Sequence, residues 1–325
     1  MPDKFQTHEL TIAGEFAGYR LDQALAGQLP QYSRSQLQRW LRDGAISVNG
    51  KAARASARID GGEAVVVRAE PAINTRVAAE DIELEIVHAD RSLIIINKPA
   101  GMVVHPGAGN REHTLQNALL SYDAKLAKVP RAGLVHRIDK DTTGLLVVAR
   151  TLAVHAKLVA ALQAHDIGRE YLALCSGLPT GGATIDKPIG RHRTHRTRMS
   201  VRADGREAIT HYTVEERFRG HTLVRARLET GRTHQIRVHL AHAGYPVFGD
   251  PDYGGRARKL SGASVALAAL MQDFKRQALH AQRLTLVHPV SGKELTFDAP
   301  LPADLRALLG ALRADARAAL DNKRR

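Results

Sequence analysis

One stretch of the sequence sets polar residues of catalytic type inside strongly apolar surroundings. In RAGLVHRIDKDTTGLLVVAR, residues 131–150, the set His136, Arg137, Asp139, Lys140, Asp141, Thr142 and Thr143 stands between two apolar runs. A loop held by rigid strands exposes a carboxylate and still places it accurately, so Asp139 and Asp141 qualify as reacting groups. The same residues also suit an Asx-type turn, in which an aspartate only accepts bonds from nearby backbone N–H groups. A kinase catalytic loop is suggested by His-Arg, but the spacing is wrong and no Asp-Phe-Gly follows.

The rest of the sequence narrows what chemistry such a loop serves. No Gly-x-Gly-x-x-Gly follows a strand-like run, and neither Gly-Lys pair (50–51 and 292–293) has a glycine five residues earlier. Dinucleotide, P-loop and the usual methyl-donor chemistries lose support, and no cofactor is expected. Histidines crowd RHRTHRTR (191–198) and recur at His234, His239 and His242, yet the interleaved arginines repel a divalent cation and no His-Glu-x-x-His exists. No metal is expected. The single cysteine, Cys175, rules out an intramolecular disulfide or a multi-thiolate zinc site and reads as a small buried apolar residue.

Charge points to the partner. The chain carries 47 Lys and Arg against 33 Asp and Glu, a formal charge of +14. A polyanion gains from such an excess, because each cation placed on a phosphate releases condensed counterions. Two blocks concentrate it. Between Gln31 and Arg58, Arg34, Arg39, Arg42, Lys51, Arg54 and Arg58 face only Asp43, and between Gly190 and Arg206 six arginines, Arg191 and Arg193 among them, face only Asp204. A continuous phosphate track across two domains explains both blocks better than two solvated faces. The N-terminus lacks the pattern of a signal peptide and no apolar run nears the roughly 18 residues of a membrane span, so a cytoplasmic protein is expected.

Periodicity supplies the elements that position these groups. Leu21, Leu25 and Leu29, then Leu37, Trp40 and Leu41, mark two short helices; Ser33 or Ser35 suits an N-cap, Gly44 a stop, and Asn49-Gly50 a hairpin. Residues 1–17 read as an arm, 18–70 as a small domain, 71–81 as an Ala-rich linker and 82–325 as a larger domain. In the larger domain IELEIVHAD, SLIIINKPAG, GLLVVAR, REYLALCSG, AITHYTVEER, HTLVRARLE, HQIRVHLA and LTLVHPV read as short strands, with helices in TLQNALLSYDAKL, AVHAKLVAALQAH and VALAALMQDF. Strict βαβ alternation is absent, so the expected class is α+β, with a large, mostly antiparallel mixed sheet flanked by helices. The tail from Pro302 reads as an amphipathic helix with Leu305, Leu308, Leu309 and Leu312 inward.

Two resemblances sharpen this reading. RLDQAL, SRSQLQRWLRDGAISVNGK and Gly61-Gly62-Glu63 before a valine run resemble the S4 RNA-binding domain. GLVHRIDKDTTGLLVVA is similar to the catalytic motif of the RluA-type pseudouridine synthases, with Ile138 where leucine is usual. INKPAGMVVHPG (96–107), REYLALCSG (169–177), LETGRTHQIRVHLAHAGYPVFGDPDYGG (228–255) and RQALHAQRLTLVHPVSG (276–292) resemble that family's other motifs in the same order. The likeness runs from about Gly18 to Leu309 and implies the pseudouridine synthase fold.

The implied reaction detaches uracil from ribose, turns it and rejoins it through C5, with no redox change and no cofactor. By the resemblance Asp139 is the catalytic carboxylate, acting by attack at C1′, by attack on the base, or by removing a sugar proton. Burial disfavours a charged carboxylate unless a cation stands beside it; the motif assigns that place to Arg237. Tyr171 is the implied ring that stacks on the base near C5. On the residues alone, Arg237 also fits a cross-strand surface charge and Tyr171 an ordinary strand aromatic. A stacked uridine must be extruded to reach such a site, which places His136, Arg137, Arg232, Thr233 and His234 as RNA contacts. Asp250 and Tyr253 either orient Arg237 and shape the pocket or only form a turn. The resulting expectation is a monomeric enzyme acting on 23S rRNA, naked or in an assembling large subunit. The competing readings are a non-catalytic rRNA-binding or assembly factor and an S4-containing methyltransferase.

Overall fold

Leucine-periodic helices and a small sheet build the first of two units into which the chain divides, residues 1–76 and 77–325. The computed structural model describes residues 6–29, 32, 34–69, 77–107, 109–195, 197–254 and 260–324. In the first unit β1 (Gln6–Thr11), α1 (Leu21–Gln28), α2 (Arg34–Arg42), β2 (Ile46–Val48), β3 (Lys51–Ala52) and β4 (Ala64–Ala69) form a sheet of order β1-β4-β2-β3 with two helices. Leu21, Leu25, Leu37, Trp40 and Leu41 are buried with Ile12, Ile46, Val65 and Val67, so the four-residue spacing of the leucines does face one core. The β2–β3 turn is Asn49-Gly50, both at positive φ (49° and 74°), the conformation a two-residue hairpin demands.

One expectation fails here. Residues 6–17 are no arm: β1 pairs antiparallel with β4 and Ile12 enters the core, because the short run QTHELTI alternates toward an open sheet edge. Arg34 also has a partner within this unit: its Nε donates to the buried Asp22 at 3.0 Å and so ties α2 to α1. Burial works against the charge on Asp22, but bonds from Arg20, Gln38 and Arg34 hold its carboxyl below the usual range. Ser33 lies outside the described residues, as do residues 70–76 of the expected linker. The linker's last residues are pinned: Asn117 donates to the Ala78 carbonyl and Glu80 N–H to that of Asn117.

The second unit runs β5 (Ile86–Ala89), β6 (Leu93–Lys98), α3 (Leu115–Tyr122), β7 (Thr143–Ala149), α4 (Leu152–Gln163), β8 (Gly168–Ser176), β9 (Ala183–Asp186), β10 (Ile189–Arg191), β11 (Met199–Val201), β12 (Ile209–Arg217), β13 (His221–Leu228), α5 (Gln235–His242), α6 (Val265–Asp273), β14 (Leu279–Val287), β15 (Glu294–Asp298) and α7 (Ala303–Arg324). Nine strands form one sheet, β5-β6-β7-β14-β8-β13-β12-β9, with β15 paired to β14; β10 and β11 form a separate hairpin. Among the described residues only β7 and β14 run parallel. β6 and β7 are apolar on both faces. Ile94, Ile96, Leu146 and Val148 join Leu115 and Leu119 of α3, whereas Leu93, Ile95, Leu145 and Val147 meet Val154 and Leu158 of α4. On α7, Leu305, Leu308, Leu309 and Leu312 are all buried, worth about 2 kcal/mol each in apolar transfer. No helix among the described residues is long and apolar enough to cross a membrane.

HQIRVHLA is the element that sequence periodicity misassigns. It forms α5 rather than a strand, because Ile236 and Leu240, four residues apart, pack on the same core. Its alternation of apolar and charged residues imitates a strand only over this short length.

Candidate active site

β7 enters the middle of the sheet, and the residues before it are held from several sides. Thr142 N–H donates to the Asp139 carbonyl at 3.1 Å, closing a tight turn over 139–142. Lys98, at the end of β6 and fully buried, donates to the Lys140 carbonyl at 2.8 Å and to those of Pro99 and Met102 at 2.6 and 2.9 Å. Arg276 reaches the Asp141 carbonyl, Gln277 donates to the Thr142 hydroxyl, and the Thr143 hydroxyl lies 2.8 Å from His280 Nδ1. His280 Nε2 faces the Ala299 carbonyl and must donate, so Nδ1 accepts from Thr143. Gly144, at φ 114°, lies so close to β14 that a β-carbon there would stand 2.2 Å from the Ala281 carbonyl oxygen. Burial pushes Lys98 down to about 7, opposed by the charges of Asp141 and Asp139.

This anchoring leaves the Asp139 side chain for other work. Among the described residues neither Asp139 nor Asp141 accepts a backbone N–H through its carboxylate, so the Asx-turn explanation fails. Asp139 Oδ2 instead accepts from Arg237 Nη1 at 3.1 Å. Arg237 is 3% exposed and its other donors are also taken, Nε and Nη2 by Asp250 at 2.7 and 2.8 Å and Nη2 again by Asp252 at 3.0 Å. Burial works against this guanidinium, but the bonds to Asp250 and the charge of Asp139 outweigh it and raise its pKa above the ordinary arginine value. Tyr253 packs its ring 5.0 Å from the Arg237 guanidinium carbon.

Helix α5 is fixed by its own polar network. Gln235 Oε1 accepts from Thr230 and from Arg232 N–H, and its Nε2 donates to the Ile209 carbonyl and the Thr210 hydroxyl. His234, just before the helix, adopts a left-handed conformation (φ 58°) uncommon outside glycine. The Tyr253 hydroxyl accepts from Met199 N–H, which leaves its own proton for His234 Nδ1 at 2.8 Å. The proton of His234 then sits on Nε2, 3.9 Å from Asp139 Oδ1.

Asp139 and Arg237 open into a cleft of about 570 Å³ that Tyr171, Arg137, Ile138 and Leu279 also line. Tyr171 comes from β8, and burial raises the pKa of its hydroxyl. The family model described as RNA pseudouridylate synthase matches residues 92–242, and the S4 domain model matches residues 20–65. Ribosomal large subunit pseudouridine synthase D of Escherichia coli strain K12 is 51% identical over 306 residues, covering 94% of each chain. The proteins of the same name from Vibrio cholerae and Xanthomonas campestris are 52% and 50% identical, covering 94% and 98% of this chain and 95% and 96% of their own.

This chain belongs to the RNA pseudouridine synthases.

Such a synthase is an isomerase. The fold agrees: human RNA pseudouridylate synthase domain containing 4 and domain containing 1 align at 26% identity, with TM-scores of 0.55 and 0.53. They cover 70% and 73% of this chain and 92% and 97% of their own.

Of the residues singled out in the synthase sequence, Asp139, Tyr171, Arg237, Arg137, Arg232 and His234 meet at this cleft. Arg191 and Arg193 lie exposed on and just after β10, outside the cleft, and Arg39, Arg42 and Lys51 are exposed in the N-terminal unit. His136 lines the cleft but carries no charge for a phosphate. Its Nε2 accepts from Val147 N–H at 3.1 Å and burial holds its pKa at about 3. Asp250 does both jobs left open for it, since its Oδ1 also accepts the turn N–H groups of Asp252 and Tyr253. Sequence reasoning passed over Lys98, Asp252, Arg276 and Gln277. An isolated lysine or aspartate beside a proline or glycine reads as a solvated turn, and only the fold shows what it reaches.

Proposed function

We propose that this synthase converts specific uridines of 23S rRNA to pseudouridine, as a cytoplasmic monomer, on naked rRNA or on an assembling large subunit. Asp139 is the reacting carboxylate, Arg237 keeps it charged and oriented, and Tyr171 stacks beneath the extruded base. The observation that carries this reading is the pairing of Asp139 with a buried guanidinium at the cleft. One carboxylate oxygen is fixed at 3.1 Å, while the other has only the His234 ring at 3.9 Å and accepts no hydrogen bond among the described residues. A carboxylate held in this way keeps lone pairs for the substrate.

In the reaction the N1–C1′ bond breaks, a C5–C1′ bond forms, C5 gives up its proton and N1 takes one, so atoms and electrons balance without an external reagent. Arg137, Arg232 and His234 contact the RNA around the cleft; Arg191 and Arg193 are further phosphate contacts of this unit, and Arg39, Arg42 and Lys51 are those of the N-terminal unit.

The test is tritium release from RNA carrying 5-tritiated uridine, with wild-type protein beside Asp139→Asn. Wild type should release tritium and Asp139→Asn none, with RNA affinity within a few fold. No release by wild type from either naked 23S rRNA or immature subunits overturns the reading, and a large loss of affinity in the variant makes Asp139 structural.

A further inference from the structure

The cleft holds a second buried guanidinium. Arg169 lies on β8 two residues before Tyr171, so both side chains leave the same face of the strand, about 7 Å apart along it. It is 7% exposed and lines the cleft. Among the described residues it has no carboxylate partner. Its Nη2 donates to the Glu229 carbonyl at 3.1 Å, whereas its Nε is buried with no acceptor. The Glu229 carboxylate is turned away to His211, 2.6 Å from its Nε2. A buried charge without an opposite charge is costly unless a ligand supplies one.

The surroundings keep this cation in place rather than neutralising it. Arg169 Nη1 makes no hydrogen bond among the described residues and lies 2.7 Å from where a β-carbon at Gly231 would stand, so glycine leaves the guanidinium its space. Of the other charged groups lining the cleft, arginines 131, 137, 206, 232 and 237 outnumber Asp139, Glu207 and Glu229. Asp139 and Arg237 form the carboxylate end, and Arg169 lies toward Glu229 and Gly231. Uracil is neutral before its bond to ribose breaks and so does not balance a standing charge. The backbone of the same nucleotide carries a permanent one.

We propose that Arg169 is a phosphodiester-binding residue of the cleft, holding the RNA backbone beside the base-stacking Tyr171. The proposal rests on the uridine-isomerising reading of the site, and the two fail in different measurements. Wild type, Arg169→Gln and Arg169→Lys are compared for RNA affinity as a function of salt and for single-turnover tritium release at saturating RNA. Arg169→Gln should bind about tenfold or more weakly at 0.1 M salt and lower the slope of log affinity against log salt by about 0.7, the contribution of one phosphate on a single strand. Its saturating rate should stay within about threefold of wild type, and Arg169→Lys should recover the slope. An unchanged slope overturns the proposal. So does a collapsed rate with unchanged affinity, which moves Arg169 to the base, or loss of the fold in Arg169→Gln, which makes it structural. Absence of tritium release by wild type counts against the isomerase reading alone.

Discussion

Arg237 and Arg169 line one cleft at nearly equal burial, yet Arg237 is bonded to three carboxylates and Arg169 to none. The difference separates two uses of a buried cation. Where the chain provides the counter-charges, the guanidinium is part of the scaffold and fixes the carboxylates around it, Asp139 among them. Where it provides none, the opposite charge has to arrive with the substrate.

The largest expected effect tests this contrast directly. Arg237→Met leaves Asp139, Asp250 and Asp252 facing one another without a cation and should cost about 3–5 kcal/mol of stability, whereas Arg169→Met should change it by less than about 1 kcal/mol. Unfolding by denaturant measures both, and equal losses would end the distinction.

A smaller effect comes from the histidines beside the two arginines. Burial, then the charge of Arg169, lowers His136 to about 3, and burial also lowers His234 against the pull of Asp139. A native pKa below the unfolded value of about 6.5 means that the unfolded chain takes up a proton the native form refuses. Stability therefore falls as the pH drops below about 6.5 toward 3. Removing Arg169 should soften this acid limb, and thermal unfolding between pH 7 and 4 reads it. An acid limb identical in Arg169→Gln would separate His136 from Arg169.

The smallest effect on the cleft should come from deleting residues 1–76. The saturating rate should hold while RNA affinity drops and its salt dependence flattens, because the exposed Arg39, Arg42 and Lys51 go with that unit. A rate that falls with the affinity would mean the N-terminal unit shapes the cleft itself.

How much of this was legible beforehand depended on the range of each interaction. The loop over 136–143 was visible because polar residues between two apolar runs are a local pattern, though choosing Asp139 over Asp141 needed the resemblance; the α7 leucines were visible because helical spacing is local too. Tyr171 and Arg237 needed the resemblance, since nothing local distinguishes a cleft tyrosine from a strand one. Arg237 lies on a helix where the sequence suggests a strand, yet it still pairs with Asp139. Lys98 was illegible because its partner, the Lys140 carbonyl, is a backbone group 42 residues away. β1 was missed because its pairing joins Gln6 to Ala69, beyond any window of periodicity.

The parallel pairing of β7 with β14 also has a consequence in time. Thr143 is held by His280, 137 residues later in the chain, and Gly144 is shaped to lie against Ala281. Local contacts form early in synthesis, but a pairing of this separation waits for its second strand. While the chain is still being made, Asp139 thus belongs to an unfinished loop. Until β14 has been made, the turn over 139–142 therefore lacks its His280 and Ala281 supports.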